Sequence, residues 1–309
     1  MKIFNPRFVS ARIHKLNRRK KLRRNGVKMI KEIKRHPLGF LVSLAVLAAV
    51  VCVTCTPFVM MILGSFKEDY EIFSLKPRLL PQNGFQGKMY ELLFANWPFW
   101  RNLGNSFIVA GITTALACFF CTLAGYTFAK YNFPLKNILF LIMLSSMMIP
   151  LETRLVPTYL LVRKLGGVNR LWSMIIPNAV PAFGIFMMRQ FASGAVPKET
   201  MEAARIEGAS EGQIMMKVGF PMLKPAIVSL GILTFMNTWN EFLWPIIITT
   251  KKEKLTVTAL LRSIGDVSMN GNYGVLLAAA TLSALPIMVL YLIFHNQMIN
   301  GILEGSGKE

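Results

Sequence analysis

Polar and apolar positions along this chain alternate on a long scale, with extended uncharged runs separated by shorter charged segments. Pro37 to Phe66 contains no Asp, Glu, Lys or Arg, and Leu103 to Ala129 contains none either. A helix needs about 20 consecutive apolar residues to cross the hydrocarbon core of a bilayer, so both stretches are long enough. Runs of this kind predict six spans, at about 38–63, 103–129, 137–160, 171–193, 225–249 and 276–297. The third is the weakest. Its uncharged part covers Asn137 to Leu151, and Pro150, Glu152 and Arg154 interrupt its second half. It is expected to end near Pro150 and continue as an interfacial helix. A large soluble core would instead scatter charges at helical spacing through these runs. The expected fold is all-α and polytopic, with six transmembrane helices.

Composition points the same way: 53% of the 309 residues are apolar and 16% are charged, against about 25% charged in soluble domains. The net charge of +20 is concentrated at one end. Of the 35 Lys and Arg residues, 14 lie in the first 36 positions, where Glu32 is the only acid. A basic block directly before the first span holds a terminus in the cytoplasm and suits contact with anionic headgroups. The tail is therefore assigned to membrane lipid and topology rather than to nucleic acid. It is not a cleavable signal peptide, whose apolar region is only about 7–15 residues long. Six spans then leave both termini in the cytoplasm. Loop 65–101 and segments 151–170 and 251–275 face outward, and segments 130–136 and 194–224 face inward. Away from the tail, Lys and Arg are more frequent on the outward segments, so this orientation rests on the tail alone. Trp97 and Trp100 are expected at the headgroup level. The chain thus reads as a basic cytoplasmic tail (1–36), a membrane domain (37–303) and a short C-terminal tail (304–309).

Candidate chemistry is sparse. The four cysteines form two Cys-x-x-Cys pairs, Cys52/Cys55 and Cys118/Cys121, a spacing that can serve zinc or redox sites. Both pairs lie in uncharged runs without a nearby His or acid, and read as inert thiols in membrane helices. His14, His36 and His295 are isolated from one another and from the only aspartates, Asp69 and Asp266. No acid–base pair, metal set or nucleophile can be assembled, which disfavours an intramembrane enzyme. The terminal Gly305-Ser306-Gly307-Lys308-Glu309 fails as a phosphate-binding loop. That loop needs a Gly where Ile302 stands and Ser or Thr where Glu309 stands.

Between the fourth and fifth spans, segment 197–224 reads as two short cytoplasmic helices. Pro197 suits a first helical turn, and Gly208 can take the left-handed conformation that ends a helix. Ser210 with Gln213 forms a capping box for a second helix, expected to run through Ile214, Met215 and Val218 until Pro221 stops it. Such an ordered hairpin is stiff enough to pass a push between proteins. Glu202-Ala203-Ala204, then Gly208, then Val218, Phe220 and Pro221, resembles the EAA motif of ABC-importer permeases. Phe220 stands where that motif usually has Leu, and Glu207 where this subgroup usually has Asp. "RNLGNSFIVAGITT", "AGYTFAKYNFP", "MMIP" and "NTWNEFLWP" resemble the carbohydrate-uptake, maltose-type branch, whereas the ending "GILEGSGKE" departs from it.

The resemblance implies a mechanism. The segment would dock on one of two cytoplasmic ATPases, with Glu202 making polar contacts, Ala203 and Ala204 permitting close approach, and Gly208 setting the bend. Glu207, Ala209 and Pro221 belong to the same element. This chain would carry no cofactor, since ATP and magnesium would be bound by the partner. A second permease subunit and an extracytoplasmic solute-binding protein would complete the assembly in a bacterial-type cell membrane, with loop 65–101 and segment 251–275 as contact surfaces for the binding protein.

In span five, Asn237, Asn240, Glu241 and Trp244 follow the i, i+3, i+4, i+7 spacing of one helix face. Amides and a carboxylate can hydrogen-bond sugar hydroxyls, and an aromatic face can pack against sugar C–H surfaces. The same residues could serve as polar contacts between helices, and both readings stand at this point. Trp239 nearby could be a pathway ring or an interface anchor. Ala278, Ala279, Ala280 and Ser283 favour close packing in span six, and Asn105 and Ser106 suggest a structural role. The expected function is a pore-forming importer subunit for a sugar or oligosaccharide. A polyol or glycerol-phosphate-type solute is the alternative within the same assembly. An ion-coupled secondary transporter would need more buried acids or histidines than Glu241 and His295, and a membrane scaffold without transport gives no reason for the ordered segment.

Overall fold

The computed structural model describes residues 37–76, 78–268 and 273–305, and among them every regular element is helical. The basic tail expected at 1–36 and the last four residues lie outside the described residues. The chain divides into two compact units, Met1–Met60 and Met61–Glu309. The first contains most of helix α1 (Pro37–Gly64), whose side chains from 41 to 60 are all exposed. An apolar helix left so bare needs lipid or another chain around it.

The second unit contains α2 (Lys88–Asn96), α3 (Phe99–Lys130), α4 (Lys136–Ser146), α5 (Leu151–Lys164), α6 (Ala182–Ala195) and α7 (Lys198–Ile206). It continues with α8 (Glu211–Ile214), α9 (Lys224–Asn240), α10 (Leu243–Ile248), α11 (Val257–Ser268) and α12 (Tyr273–Gly305). Single helical turns lie between several of these. Helix α12 runs without a break across the expected boundary at 303/304, so residues 304 and 305 belong to it rather than to a separate tail.

Among the described residues, three helices are long and apolar enough to cross a membrane: Leu41–Gly64, Phe99–Lys130 and Tyr273–His295. A fourth is reached by joining Glu211–Met222 to Lys224–Asn240 across a 73° bend. Among the described residues, six continuous spans are therefore not found. The expected third span is broken between Ser146 and Leu151, leaving helices of 11 and 14 residues on either side of an extended Pro150 (ψ 145°). The fourth is broken at Pro181, likewise extended (ψ 133°), so only the 14 residues of α6 are continuous. The fifth stops at Asn240 after 17 residues. Pro150 and Pro181 each immediately precede a helix, where a missing N–H costs nothing but the incoming helix cannot continue through the ring.

Helix α3 is the axis of this unit. Its 32 residues extend about 48 Å at 1.5 Å per residue, well beyond an apolar bilayer core of about 30 Å. Helices α6 and α9 make its most extensive contacts. Small residues permit them. A Cβ on Gly125 would lie 2.6 Å from the Met188 Cβ and 2.7 Å from the Arg189 nitrogen, and one on Gly184 would lie 2.8 Å from the Cys121 Sγ. In lipid, where apolar side chains gain little by leaving the solvent, such backbone approach carries helix association. Cys121 is packed in this contact and its Sγ lies 3.6 Å from the Pro181 carbonyl, while Cys118 faces the Ile227 carbonyl at the same distance. Cys52 and Cys55 are exposed on α1.

Three apolar clusters lie along α3. Phe99 and Ala110 join Trp239, Leu260, Ile264, Ala278 and Ala279 in the first. Val109 joins Met174, Trp244 and Ile248 in the second. Ala117, Cys121 and Tyr126 join Met188, Ala192, Met201, Ile214 and Leu223 in the third. Within the first cluster, α11 turns Val257, Leu260 and Ile264 toward α12, the spacing of one helix face. The Asp69 carboxylate accepts hydrogen bonds from the Tyr273 and Gly274 N–H groups at 3.1 and 3.0 Å, which supplies partners for the orphan donors opening α12.

Candidate coupling segment and polar cavity

The hairpin between α6 and α9 is built from local signals. Pro197 is the N-cap of α7. At its other end the Gly208 N–H donates to the Arg205 carbonyl at 2.9 Å, and the Ala209 N–H donates to the Ala204 carbonyl at 3.0 Å. These are the two bonds of a Schellman termination, with Gly208 at φ +81°. The next helix opens with the expected capping box. The Ser210 N–H donates to the Gln213 Oε1 at 2.9 Å, and the Gln213 N–H donates to the Ser210 Oγ at 3.4 Å. Ala204 and Ala209 pack on the third apolar cluster, and Met201 and Ile214 are buried in it. Glu202, Ala203, Glu207, Gly208 and Pro221 are exposed.

Pro221 does not stop the second helix. After Ile214 the chain widens into a π-turn over Met215–Gly219, continues through Phe220–Met222, and bends only at Leu223 (φ −86°, ψ 0°). The Phe220 N–H donates to the Met215 carbonyl, five residues back. A π-turn there loosens the helix directly before a residue that would otherwise clash with a preceding carbonyl.

Sequence reasoning missed the side chains that hold this hairpin in place. Arg205 on α7 donates from Nε to Glu211 Oε1 at 2.6 Å and from Nη2 to Oε2 at 3.1 Å. Tyr131, just past the end of α3, donates its hydroxyl to the same Oε2 at 2.7 Å. The Arg205 guanidinium, and then the Tyr131 hydroxyl, hold the Glu211 carboxyl below its ordinary value. Gly219 lies against the buried Tyr126 ring, where a Cβ would come within 2.6 Å of Cε2. Ile206 is 87% exposed on the outer face. The phrases "AGYTFAKYNFP" and "EAA" were each visible; nothing in the linear spacing joined them.

A second polar cluster lies at the opposite end of α3. Asn102 donates from Nδ2 to the carbonyls of Lys252 (2.7 Å) and Leu255 (2.8 Å), and Asn105 donates to those of Glu253 and Leu255, both at 2.9 Å. The Ser106 hydroxyl accepts from the Val257 N–H at 2.7 Å, at the start of α11. The structural role expected of Asn105 and Ser106 is thus to pin segment 252–257. Trp97 adds a contact at the same place, with the Lys252 ammonium 4.3 Å from its ring centre, while Trp100 is exposed and stacks on Phe94.

The four candidate pathway residues do not share one helix face. Helix α9 ends at Asn240, Glu241 is extended (ψ 123°), and α10 begins at Leu243. The Glu241 Oε1 accepts from the N–H groups of Leu243 (2.9 Å) and Trp244 (3.2 Å), so the carboxylate closes the break it sits in. Trp244 turns into the second apolar cluster and donates its indole N–H to the Ser173 carbonyl at 2.9 Å. Trp239 is also buried, between Phe107 and Phe235, and is not an interface anchor. Asn237 and Glu241 line a cavity of about 520 Å³ together with Thr234, Thr238, Asn178 and Arg154. Asn240 is exposed outside it. Arg154 has no ion-pair partner among the described residues.

Long apolar helices, a capped hairpin at one end of α3 and a polar cavity are features that a membrane transport subunit requires. The family described as "Binding-protein-dependent transport system inner membrane component" matches residues 121–301, more than half of the sequence, and the chain belongs to that family. It is a transport subunit rather than an enzyme. Over 254 residues it is 31% identical to the arabinooligosaccharides transport system permease protein AraQ of Bacillus subtilis, covering 82% of this chain and 90% of that one. Over 210 residues it is 30% identical to the sn-glycerol-3-phosphate transport system permease protein UgpE of Shigella flexneri, covering 68% and 74%. The fold is similar to a crystal structure of a bacterial ABC transporter involved in the import of the acidic polysaccharide alginate, with a TM-score of 0.73, 19% identity, and 84% and 96% of the two chains covered.

Proposed function

We propose that this chain forms half of the translocation pathway of an ABC importer for a sugar or oligosaccharide, and that segment 197–224 couples it to a separate ATPase. The observation that carries this is the hairpin. Its inner side chains are buried against the membrane helices, while Glu202, Ala203, Ile206 and Glu207 are left outward. An apolar side chain as bare as Ile206, rimmed by carboxylates, suits insertion into a partner's groove. In this reading the broken helices at Pro150, Pro181 and Glu241 complete six crossings, with both termini in the cytoplasm. A second permease, two ATPases holding ATP and magnesium, and an extracytoplasmic binding protein make up the rest. Irregular backbone at membrane depth is tolerated where it lines a water-filled cavity, which supports Asn237 and Glu241 as pathway residues, with Asn240 beside them and Trp244 as a packing support behind.

The relation to an arabinooligosaccharide permease favours a neutral sugar. Arg154 at the cavity wall, together with the relation to a glycerol-3-phosphate permease, favours the second reading, an anionic solute of the glycerol-phosphate type. The test is co-purification in detergent followed by uptake with the binding protein. The unsubstituted chain is expected to carry an ATPase through gel filtration, and Ile206→Asp, Glu202→Lys and Gly208→Pro are each expected to lose it or to lose uptake. The proposal fails if no ATPase co-elutes with the unsubstituted chain, or if all three variants transport normally. Arg154→Gln separates the two solute classes, since it should depress uptake of an anionic solute and leave a neutral sugar unaffected.

A further inference from the structure

The covalent route from the hairpin to α9 is a poor conductor of movement, because the chain bends by 73° at Leu223 between them. The lateral route to α3 is closed at several points. Tyr131 donates to Glu211, whose carboxylate is held bidentately by Arg205, so one acid joins both hairpin helices to the end of α3. Tyr126, one turn earlier on α3, fills the space beside Gly219 so tightly that a single methyl group would not fit. The two tyrosine rings lie 5.9 Å apart. Lys130 donates to the Ser193 carbonyl at 3.1 Å, tying the same end of α3 to the end of α6. At the far end of α3, the amides of Asn102 and Asn105 and the hydroxyl of Ser106 hold segment 252–257.

We infer that α3 is the rod of this transporter: displacement of the hairpin is delivered sideways to α3 through the Tyr131–Glu211–Arg205 clamp and the Tyr126–Gly219 contact, and is carried along α3 to segment 252–257. Tyr131, Arg205 and Glu211 are positioning residues for coupling. They hold the hairpin and the rod as one body and need not touch the ATPase. A continuous helix with both ends tied by hydrogen bonds, as α3 is, moves more nearly as a unit, whereas a bent junction between two helices absorbs displacement by changing its angle. The inference rests on the reading of 197–224 as the ATPase-coupling element.

The test uses the complete complex in proteoliposomes with its binding protein, and reads solute imported per ATP hydrolysed. Tyr131→Phe removes one hydroxyl and Glu211→Gln removes the charge. Both are expected to retain the ATPase through gel filtration and to lower the import-to-hydrolysis ratio at least about fivefold, the lower end for a coupling between sites. The exchanged pair Arg205→Glu with Glu211→Arg rebuilds the ion pair in reverse and is expected to recover more of the ratio than either exchange alone, an effect that a general loss of structure would not give. An unchanged ratio in Tyr131→Phe and Glu211→Gln overturns the inference while leaving the docking role intact. Loss of the ATPase from these two variants, with Ile206→Asp unaffected, overturns it too, since the clamp would then be the docking surface itself. Absence of the ATPase from the unsubstituted complex would instead refute the coupling reading beneath it.

Discussion

Two of the hairpin's glycines, Gly208 and Gly219, are single-methyl tests, and the structure gives them different reasons to be glycine. Gly208 sits at φ +81° with nothing within 4 Å of where a Cβ would stand. Alanine there meets no neighbour and carries only the cost of a left-handed backbone, about 1–2 kcal/mol; Asn, which tolerates that conformation, should cost less. Gly219 has ordinary helical angles (φ −60°, ψ −56°), so its backbone does not require glycine. Its Cβ would instead stand 2.6, 3.1 and 3.2 Å from three carbons of the Tyr126 ring, and that ring is wholly buried. Overpacking of this kind costs about 1–3 kcal/mol, so total destabilisation alone does not separate the two sites. A double-mutant cycle does. Placed in a Tyr126→Ala background, Gly219→Ala should lose most of its cost, whereas Gly208→Ala should keep all of it. The assay is the apparent thermal midpoint of the detergent-solubilised complex, run at one scan rate. A destabilisation of about 1 kcal/mol corresponds to a shift of roughly 2–4 °C in a domain of about 150–250 residues and to less in a larger one. The reasoning is refuted if Gly219→Ala is neutral beside an intact Tyr126, or if Tyr126→Ala rescues Gly208→Ala as well.

Asn102→Ala and Asn105→Ala should each lower the midpoint, since each removes two hydrogen bonds worth about 1 kcal/mol apiece. Both amides donate to the Leu255 carbonyl, so the double variant leaves that group bare. It should cost more than the sum of the two, and limited proteolysis should cut first within 251–256. The Arg205–Glu211 pair makes the hairpin pH-sensitive. Its partners lower the Glu211 pKa, so the stabilisation is present above the ordinary value of 4.5 and is lost as pH falls through the depressed one. Protection of the Arg205–Gln213 amides, taken relative to the intrinsic exchange rate at each pH, should therefore fall as pH drops below 4.5, and Glu211→Gln should abolish that dependence; an unchanged profile in the variant would assign it to another group.

The parts of this protein legible in its sequence are those decided over a few residues. The uncharged runs at 37–66 and 103–129 announced membrane helices because a bilayer core tolerates little charge over about 20 residues. Pro197, Gly208 and the Ser210/Gln213 pair announced the hairpin because caps act within one turn of the backbone they satisfy. The structure decided everything that depends on separation. Tyr131 and Glu211 are 80 residues apart, and Asn102 and Leu255 are 153 apart; no spacing rule could have paired them. Helical periodicity put Asn237, Asn240, Glu241 and Trp244 on one face, but it assumes an unbroken helix. The chain instead breaks at Glu241, where the carboxylate finds backbone N–H groups and Trp244 finds a buried pocket with a carbonyl for its indole. A helix is the outcome of local terms. Where it stops is settled by the neighbours that offer its polar groups and large side chains a better place.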